Sequence, residues 1–307
     1  MNRVFIWAAQ MRANFLILSI LLVFVGLSTV YKYHTGLEAF NWLHAILITI
    51  GVVLAHVSVN LFNEYSDYNT KIDFNVSRTP FSGGSGMLVT GKTKPKVVLA
   101  AAILSLIIAF SIGIYFAFVS HWIILAISLF GLLTIIFYTT FFARFMLGEL
   151  FSGIALGSLV VIGAYIATTA NPGMPVSELI PLPVILISIP PGILTSLLLL
   201  LNEFPDVEAD KAGGRYNIVI HFGRKVSAWI YAAGIFVTFL VIALIPILGF
   251  SGPWLFIALI TLPLAIKAMA TAILHYQNQK KIVSAMGVNV IIVLATNFLI
   301  ALGILFV

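Results

Sequence analysis

The chain predicts an all-α, polytopic membrane protein, with about nine transmembrane helices around a central cavity. It is expected to form a single membrane-embedded domain over residues 1–307. Three observations carry this. First, 61% of the residues are hydrophobic and only 8% are charged, where soluble domains carry about 25% charged residues; the mean hydropathy is +1.13. Second, apolar runs of about 20 residues, the length that crosses the hydrocarbon core, recur along the chain. Third, Lys and Arg gather in alternate loops, as the positive-inside rule requires. The net charge of +6 follows from that placement and does not point to nucleic acid. With no cysteine, disulfides and thiolate metal sites are excluded.

The first span is read at Asn14–Tyr31. Its apolar run is long, lacks a small-x-small cleavage site and is followed by further spans, so it reads as a helix and not as a cleaved signal peptide. The second runs over Trp42–Phe62 and ends where acids begin. The next two, Val97–Val119 and Trp122–Phe142, are separated by a short connection, as are the fifth at Glu149–Thr169 and the sixth at Leu182–Leu201. Gly153 and Gly157 form a small-xxx-small pair that lets the fifth helix pack closely, and Pro190 and Pro191 are expected to bend the sixth. Val226–Phe250, Pro253–His275 and Ser284–Val307 complete the set.

Arg3 and Arg12 precede the first span; Lys71, Arg78, Lys92, Lys94 and Lys96 follow the second; Arg144 follows the fourth; Lys211, Arg215, Arg224 and Lys225 follow the sixth. The opposite loops hold only Lys32. This puts the N-terminus and the long loops in the cytoplasm and the C-terminus outside. The motif-bearing loops recur four helices apart on one side, which suggests two pseudo-repeated four-helix halves plus one helix.

Those two loops carry the chemistry. Asn63, Asp67 and Asp73 lie in one, and Asn202, Asp206 and Asp210 in the other. In each the Asn and the first Asp are spaced i, i+4, which predicts a shared helical face. Upstream, His56, Asn60, Asn63 and Asp67 advance by four, three and four residues and form one stripe. A polar stripe within a bilayer faces a bundle interior or a wet cavity. For His56 and Asn60 the plainer account is hydrogen bonding between neighbouring helices. Four acids at one cavity mouth repel one another unless a cation intervenes. Carboxylate and amide oxygens without His or Cys suit Mg²⁺, which is typically held by one or two carboxylates plus substrate phosphates. The motifs therefore predict Mg²⁺ held by Asp67, Asp73, Asp206 and Asp210, with Asn63 and Asn202, and a diphosphate bound between them. Arg144, Glu149 and Arg215 read as loop charges, and Glu38, Glu178 and His121 are given no role.

Gly86–Thr93 fits the pattern G-x-x-x-x-G-K-[ST], but no hydrophobic strand precedes it and Pro95 follows at once, so a phosphate-binding nucleotide loop is not expected. A flexible Gly-rich loop closing over the cavity mouth is the better account. Asn75-Val-Ser77 matches a glycosylation sequon on the expected cytoplasmic side.

At these residues the chain resembles the UbiA superfamily of intramembrane prenyltransferases. Asn63, Asp67 and Asp73 match its N-x-x-x-D-x-x-x-x-x-D form. Asn202, Asp206, Asp210 and Lys211 match its N-x-x-x-D-x-x-x-D-[RK] form. His56 with Asn60-Leu-Phe-Asn63, and Tyr138-Thr139 followed by Leu147-Gly148-Glu149-Leu150, are similar to the branch that prenylates 1,4-dihydroxy-2-naphthoate in menaquinone synthesis. Glu64, where the family commonly has Asp, Ala13 after Arg12, where it usually has Pro, and a more Gly-rich Arg78–Thr93 loop are departures. The resemblance implies Mg²⁺-dependent transfer of an isoprenyl group from its diphosphate to an aromatic acceptor through an allylic carbocation. It implies two Mg²⁺ ions on the four Asp residues, with Asp67 and Asp206 catalytic. It adds Arg78, Lys211 and Arg12 on the diphosphate, His56 and Asn60 among the substrate-binding residues, and Tyr138 against the cation. Nucleic acid and nucleotide are not expected partners; the lipid bilayer is. Other acceptors (geranylgeranylglyceryl phosphate, 4-hydroxybenzoate, haem) and, from a different class, a cation-coupled transporter remain alternatives.

Overall fold

The computed structural model describes residues 2–35 and 40–306; Glu38 and Val307 lie outside the described residues. Every regular element within them is helical. A short α1 (Arg3–Gln10) lies ahead of α2 (Ala13–Val30), which continues as a π-helical turn over Tyr31–Thr35. Helix α3 (Trp42–Asn69) starts on an Asn41 cap, whose Oδ1 accepts from His44 N at 3.0 Å, the donor-satisfying role that favours Asn there. After α4 (Ile72–Asn75) and a Gly-rich loop come α5 (Pro95–Val119), opened by a proline that loses no hydrogen bond there, and α6 (Ile123–Phe137). The fifth span is built from α7 (Gly148–Ser152), a π-helical turn over Gly153–Ser158, and α8 (Leu159–Thr169). Then follow α9 (Leu182–Asn202), the short α10 (Val207–Ala212), α11 (Ile218–Ile247), which kinks at Gly223, a 3₁₀ stretch over Pro253–Thr261 running into α12 (Leu262–His275), and α13 (Gln279–Leu305).

Among the described residues eight helical segments are long and apolar enough to cross a membrane, and α6 is a shorter apolar helix. This is a multi-pass membrane protein with the expected nine hydrophobic segments. Helix α3 packs along α5, α2 along α13 and α8, and α9 along α11 and the π-helical turn. Lipid tails are as apolar as leucine, so close backbone approach and buried hydrogen bonds hold such helices together. A Cβ on Gly153 would stand 2.7 Å from the Gly192 carbonyl oxygen, so the expected close packing of the fifth span is against α9. Buried polar bonds tie helix to helix: Ser58 Oγ donates to Ala102 O at 2.9 Å, Ser120 Oγ to Ala167 O at 2.7 Å and Tyr231 OH to Asn289 Oδ1 at 2.9 Å.

Several boundaries differ from expectation: α6 ends at Phe137 and not Phe142, α11 begins at Ile218 and not Val226, and α13 begins at Gln279 and not Ser284. Two further differences bear on the site. Helix α3 runs on past Phe62 to Asn69, so Asn63 and Asp67 do share its inner face. The second motif does not share one. Helix α9 stops at Asn202, and Asp206 is the N-cap residue of a separate helix. Pro205 lies between them, and a proline inside a helix loses its hydrogen bond and clashes with the preceding turn. Asn202 and Asp206 therefore reach the site from two elements.

Candidate active site

Two cavities meet end to end. The deeper, of about 290 Å³, lies among α2, α3, α5, α6, α8 and α9, and its walls are mainly aliphatic. The shallower, of about 90 Å³, is lined by Asn63, Asp67, Asp73, Asn202, Asp206 and Asp210, among others. Arg12, Asn63, Tyr138, Leu199 and Asn202 line both, and so form the neck between an oily chamber and an acidic one.

The sequence folds this way because each acid sits where its helix leaves the bundle. Asn63 and Asp67 occupy the last turns of α3. The chain then turns through Lys71, at φ +66°, and brings Asp73 back on α4. The Gly-rich loop folds over this group. Gly83, Gly84 and Gly86 all have φ between +67° and +84°, a region open to glycine at little cost. The buried Glu64 latches the loop: its two oxygens accept from Ser85 N at 2.7 Å and Ser85 Oγ at 2.6 Å. The segment that mimics a nucleotide loop forms a turn that spends its own N–H groups, Thr90 N on Gly86 O at 3.0 Å and Lys92 N on Met87 O at 2.9 Å.

Asp210 extends from α10, its Oδ2 accepting from Asn217 Nδ2 at 3.2 Å. Asn217 Oδ1 in turn caps α11. Arg215 joins the two motifs: Nη1 donates to Asp210 Oδ1 at 3.0 Å and Nη2 to Asp67 Oδ1. The acidic sets thus face each other across one cavity.

Burial pushes Asp73 up to about 7, with Asp67 and Glu64 adding to the shift against Arg12 and Arg78. Burial likewise pushes Asp206 up to about 7, with Asp210 adding and Arg215 opposing. Asp210 is raised by burial, against the pull of Arg215. Glu203 is raised by burial and then by the neighbouring Glu149. Each of these groups would ionise readily only beside additional positive charge.

The donor set fits a hard cation. Asn63 Oδ1, Asp73 Oδ2 and Asn202 Oδ1 are buried without a hydrogen-bond partner, an arrangement that costs free energy unless something binds there. Among the described residues no three acids or imidazoles converge tightly enough to enclose a bare ion. A metal here would have to complete its shell with the Asn oxygens, water and substrate phosphates, as Mg²⁺ commonly does.

The remaining sequence-derived candidates fall in three places. Tyr138 and Arg12 stand at the neck. His56 and Asn60 line the deep cavity but are engaged elsewhere as well: His56 Nδ1 pairs with Ser19 Oγ at 2.7 Å, and Asn60 Nδ2 donates to Met11 O at 2.9 Å. The second bond fixes the backbone just before Arg12, which sits at φ +50°. Arg78 and Lys211 are exposed and outside the lining, Arg78 bonding Asp73 O at 2.6 Å. Conversely, Arg215, Glu203, Asn217 and Ser82 line the acidic cavity. Of these, Arg215 reads from the sequence only as a loop charge. The signal for it was Gly213-Gly214, which turns the chain back after α10, with φ +80° at Gly214.

The chain is similar to several known proteins. It is 34% identical over 216 residues to the 1,4-dihydroxy-2-naphthoate octaprenyltransferase of Bacillus subtilis (strain 168), a match spanning 69% of this chain and 66% of that one. Its fold is like that of a UbiA homolog from Aeropyrum pernix K1, with a TM-score of 0.71 at 19% identity over 95% of this chain and 97% of that one. It is also like a UbiA homolog from Archaeoglobus fulgidus bound to DMAPP and Mg²⁺, with a TM-score of 0.55 at 14% identity over 96% and 98% of the two chains. A sequence model of the UbiA prenyltransferase family matches residues 33–292. With paired Asn/Asp motifs facing across one cavity inside a helical membrane fold, the chain belongs to the UbiA prenyltransferase family.

Proposed function

We propose that this protein transfers an isoprenyl group from a prenyl diphosphate to an aromatic acceptor of the 1,4-dihydroxy-2-naphthoate type. The observation that carries the reading is the neck: an acidic chamber suited to a metal-bound diphosphate opens directly into an apolar chamber suited to an isoprenoid tail. The relative named for naphthoate supports the acceptor class. The Archaeoglobus protein bound to DMAPP and Mg²⁺ supports the donor and the metal.

Asp67 and Asp73 on one rim, and Asp206 and Asp210 on the other, would hold two Mg²⁺ ions with Asn63 and Asn202. When bound by these residues, such a metal would supply positive charge to neutralise the departing diphosphate. Arg12 and Arg215 line the same chamber and add charge-assisted bonds to phosphate oxygens. With the tail in the deep cavity and the diphosphate in the shallow one, the reacting carbon lies at the neck. There Tyr138, which lines both cavities, is placed to stabilise the allylic cation. The aliphatic walls exclude the water that would quench it. The acceptor ring attacks the cation from the neck, its ring carbon bonding the isoprenyl carbon, and the proton displaced from that ring carbon passes to the departed diphosphate, the base released beside it. The basic loops support a cytoplasmic position for the motifs and the N-terminus, with the C-terminus outside.

The test is turnover by purified protein with Mg²⁺, prenyl diphosphates of several lengths and several acceptors, with products identified by mass. A prenylated naphthoate-derived product is expected, with losses of about 100-fold or more in Asp67→Ala and Asp206→Ala. Full turnover in either variant, or after removal of divalent metal, would refute the mechanism. Product from 4-hydroxybenzoate alone would refute the acceptor class.

A further inference from the structure

Arg215 differs from the other basic residues near the site in where its terminal nitrogens go. One bonds Asp67 of the first motif and the other bonds Asp210 of the second. Arg12 stays 4.0 Å from Glu64, and Lys211 is exposed. The oxygens that Arg215 occupies belong to the acids to which the function proposed above assigns the metal. A guanidinium and a divalent cation on the same carboxylate oxygens repel strongly at such separations. They are therefore competitors.

The surroundings show what gives way. The backbone at Arg215 is pinned: Arg215 N donates to Asp210 O at 2.9 Å, Tyr216 N to Ala143 O at 2.8 Å and Met146 N to Tyr216 O at 2.8 Å. Neither acid depends on Arg215 for its position, since Asp67 rides on α3 and Asp210 keeps Asn217 on its other oxygen. Displacement is thus a rotation of one long side chain about a fixed Cα. The cavity it lines is the one that would hold the diphosphate, whose oxygens accept a guanidinium bidentately.

We propose, on the footing of that reading, that Arg215 and divalent metal compete for Asp67 and Asp210, and that the displaced guanidinium becomes a ligand of the diphosphate. Arg215 then opposes metal binding when the metal comes alone and favours binding when metal and diphosphate come together. Metal without substrate is held weakly, and the complete substrate complex is favoured.

The experiment measures Mn²⁺ binding to the detergent-solubilised full chain by the loss of the free-ion paramagnetic resonance signal, with and without inorganic pyrophosphate. For Mn²⁺ alone, Arg215→Gln is expected to bind roughly tenfold tighter than the unaltered protein, the effect of a competing charge worth about one pKa unit. With Mn²⁺ saturating, the same variant is expected to bind pyrophosphate roughly tenfold more weakly. Arg215→Lys, with a single ammonium that cannot fork to both acids, is expected to fall between the two in the first arm. It carries that comparison if the Gln variant does not fold. A purely supporting role for Arg215 would lower both affinities together. Unchanged or weaker Mn²⁺ binding in the variants, while the unaltered protein binds Mn²⁺ in an Asp67-dependent way, overturns the competition and leaves the metal reading standing. No Mn²⁺ binding by the unaltered protein even with pyrophosphate overturns both.

Discussion

Asp73 and Asp206 are each pushed up to about 7 from an ordinary 3.8 by burial and neighbouring acids. A carboxyl whose folded pKa is raised stabilises the fold below its unfolded value and loses that contribution as pH rises through the folded one. In chelator, the melting temperature is therefore expected to fall between about pH 4, near the unfolded value, and about pH 7, the folded one, and to level off above it. Saturating Mg²⁺ should reverse most of that fall at the upper end, because metal binds only the deprotonated acids. A melting temperature in chelator that rises over this window would show that the acids are already neutralised from within. Glu64 makes a second residue-scale case. Glu64→Ala strips two hydrogen bonds from Ser85, which should cost about 1–3 kcal/mol and speed proteolysis at the Gly-rich loop; Glu64→Gln, keeping one acceptor, should do less of both. The four Asp and two Asn of the motifs were legible in the sequence because acids beside long apolar runs stand out. Arg215 was not, because a loop cation looks the same whether it faces water or a carboxylate.

At the scale of elements, what the sequence showed was length and apolarity, and what it hid was where helices break. Pro205 was the visible signal that Asn202 and Asp206 part company, yet i, i+4 spacing outweighs it when a motif is read by itself. The result places the second acid set on α10, a short helix free to be aimed independently of the span before it. The fifth span shows the opposite case, in which small residues predicted the packing. A Cβ on Gly157 would meet Gly192 Cα at 2.5 Å and Pro191 O at 2.9 Å, both of them backbone. Gly157→Val should therefore cost more than the 1–3 kcal/mol typical of about one or two inserted methyl groups, since backbone cannot rotate aside. Gly131 is the control. A Cβ there meets nothing within 4 Å, and Gly131→Ala should leave the melting temperature unchanged or raise it slightly through helix propensity. Equal losses in the two would place the weakness in glycine's flexibility and not in the α9 contact.

For the molecule as a whole, the consequence of nine apolar segments is a chamber that no single segment encodes. Its walls come from six helices, so its depth is set by how they pack and not by any local pattern; composition announced the membrane but not the cavity. If the tail lies there, its length decides which wall residues it meets. Ala55 faces the chamber two helical turns below Asn63, about 12 Å along the axis, beyond the reach of a five-carbon group anchored at the neck. Ala155, on the π-helical turn, faces the same space. Filling the chamber with Ala55→Phe should leave turnover of a dimethylallyl donor within about threefold while reducing that of long donors by about tenfold or more, because only long tails lose their binding volume. Ala155→Phe, entering from another wall, should show the same bias towards short donors. Steady-state kinetics across a series of donor lengths reads both variants. A uniform loss at every length would mean that the isoprenoid runs elsewhere, towards lipid, and that the apolar chamber serves some end other than holding the donor.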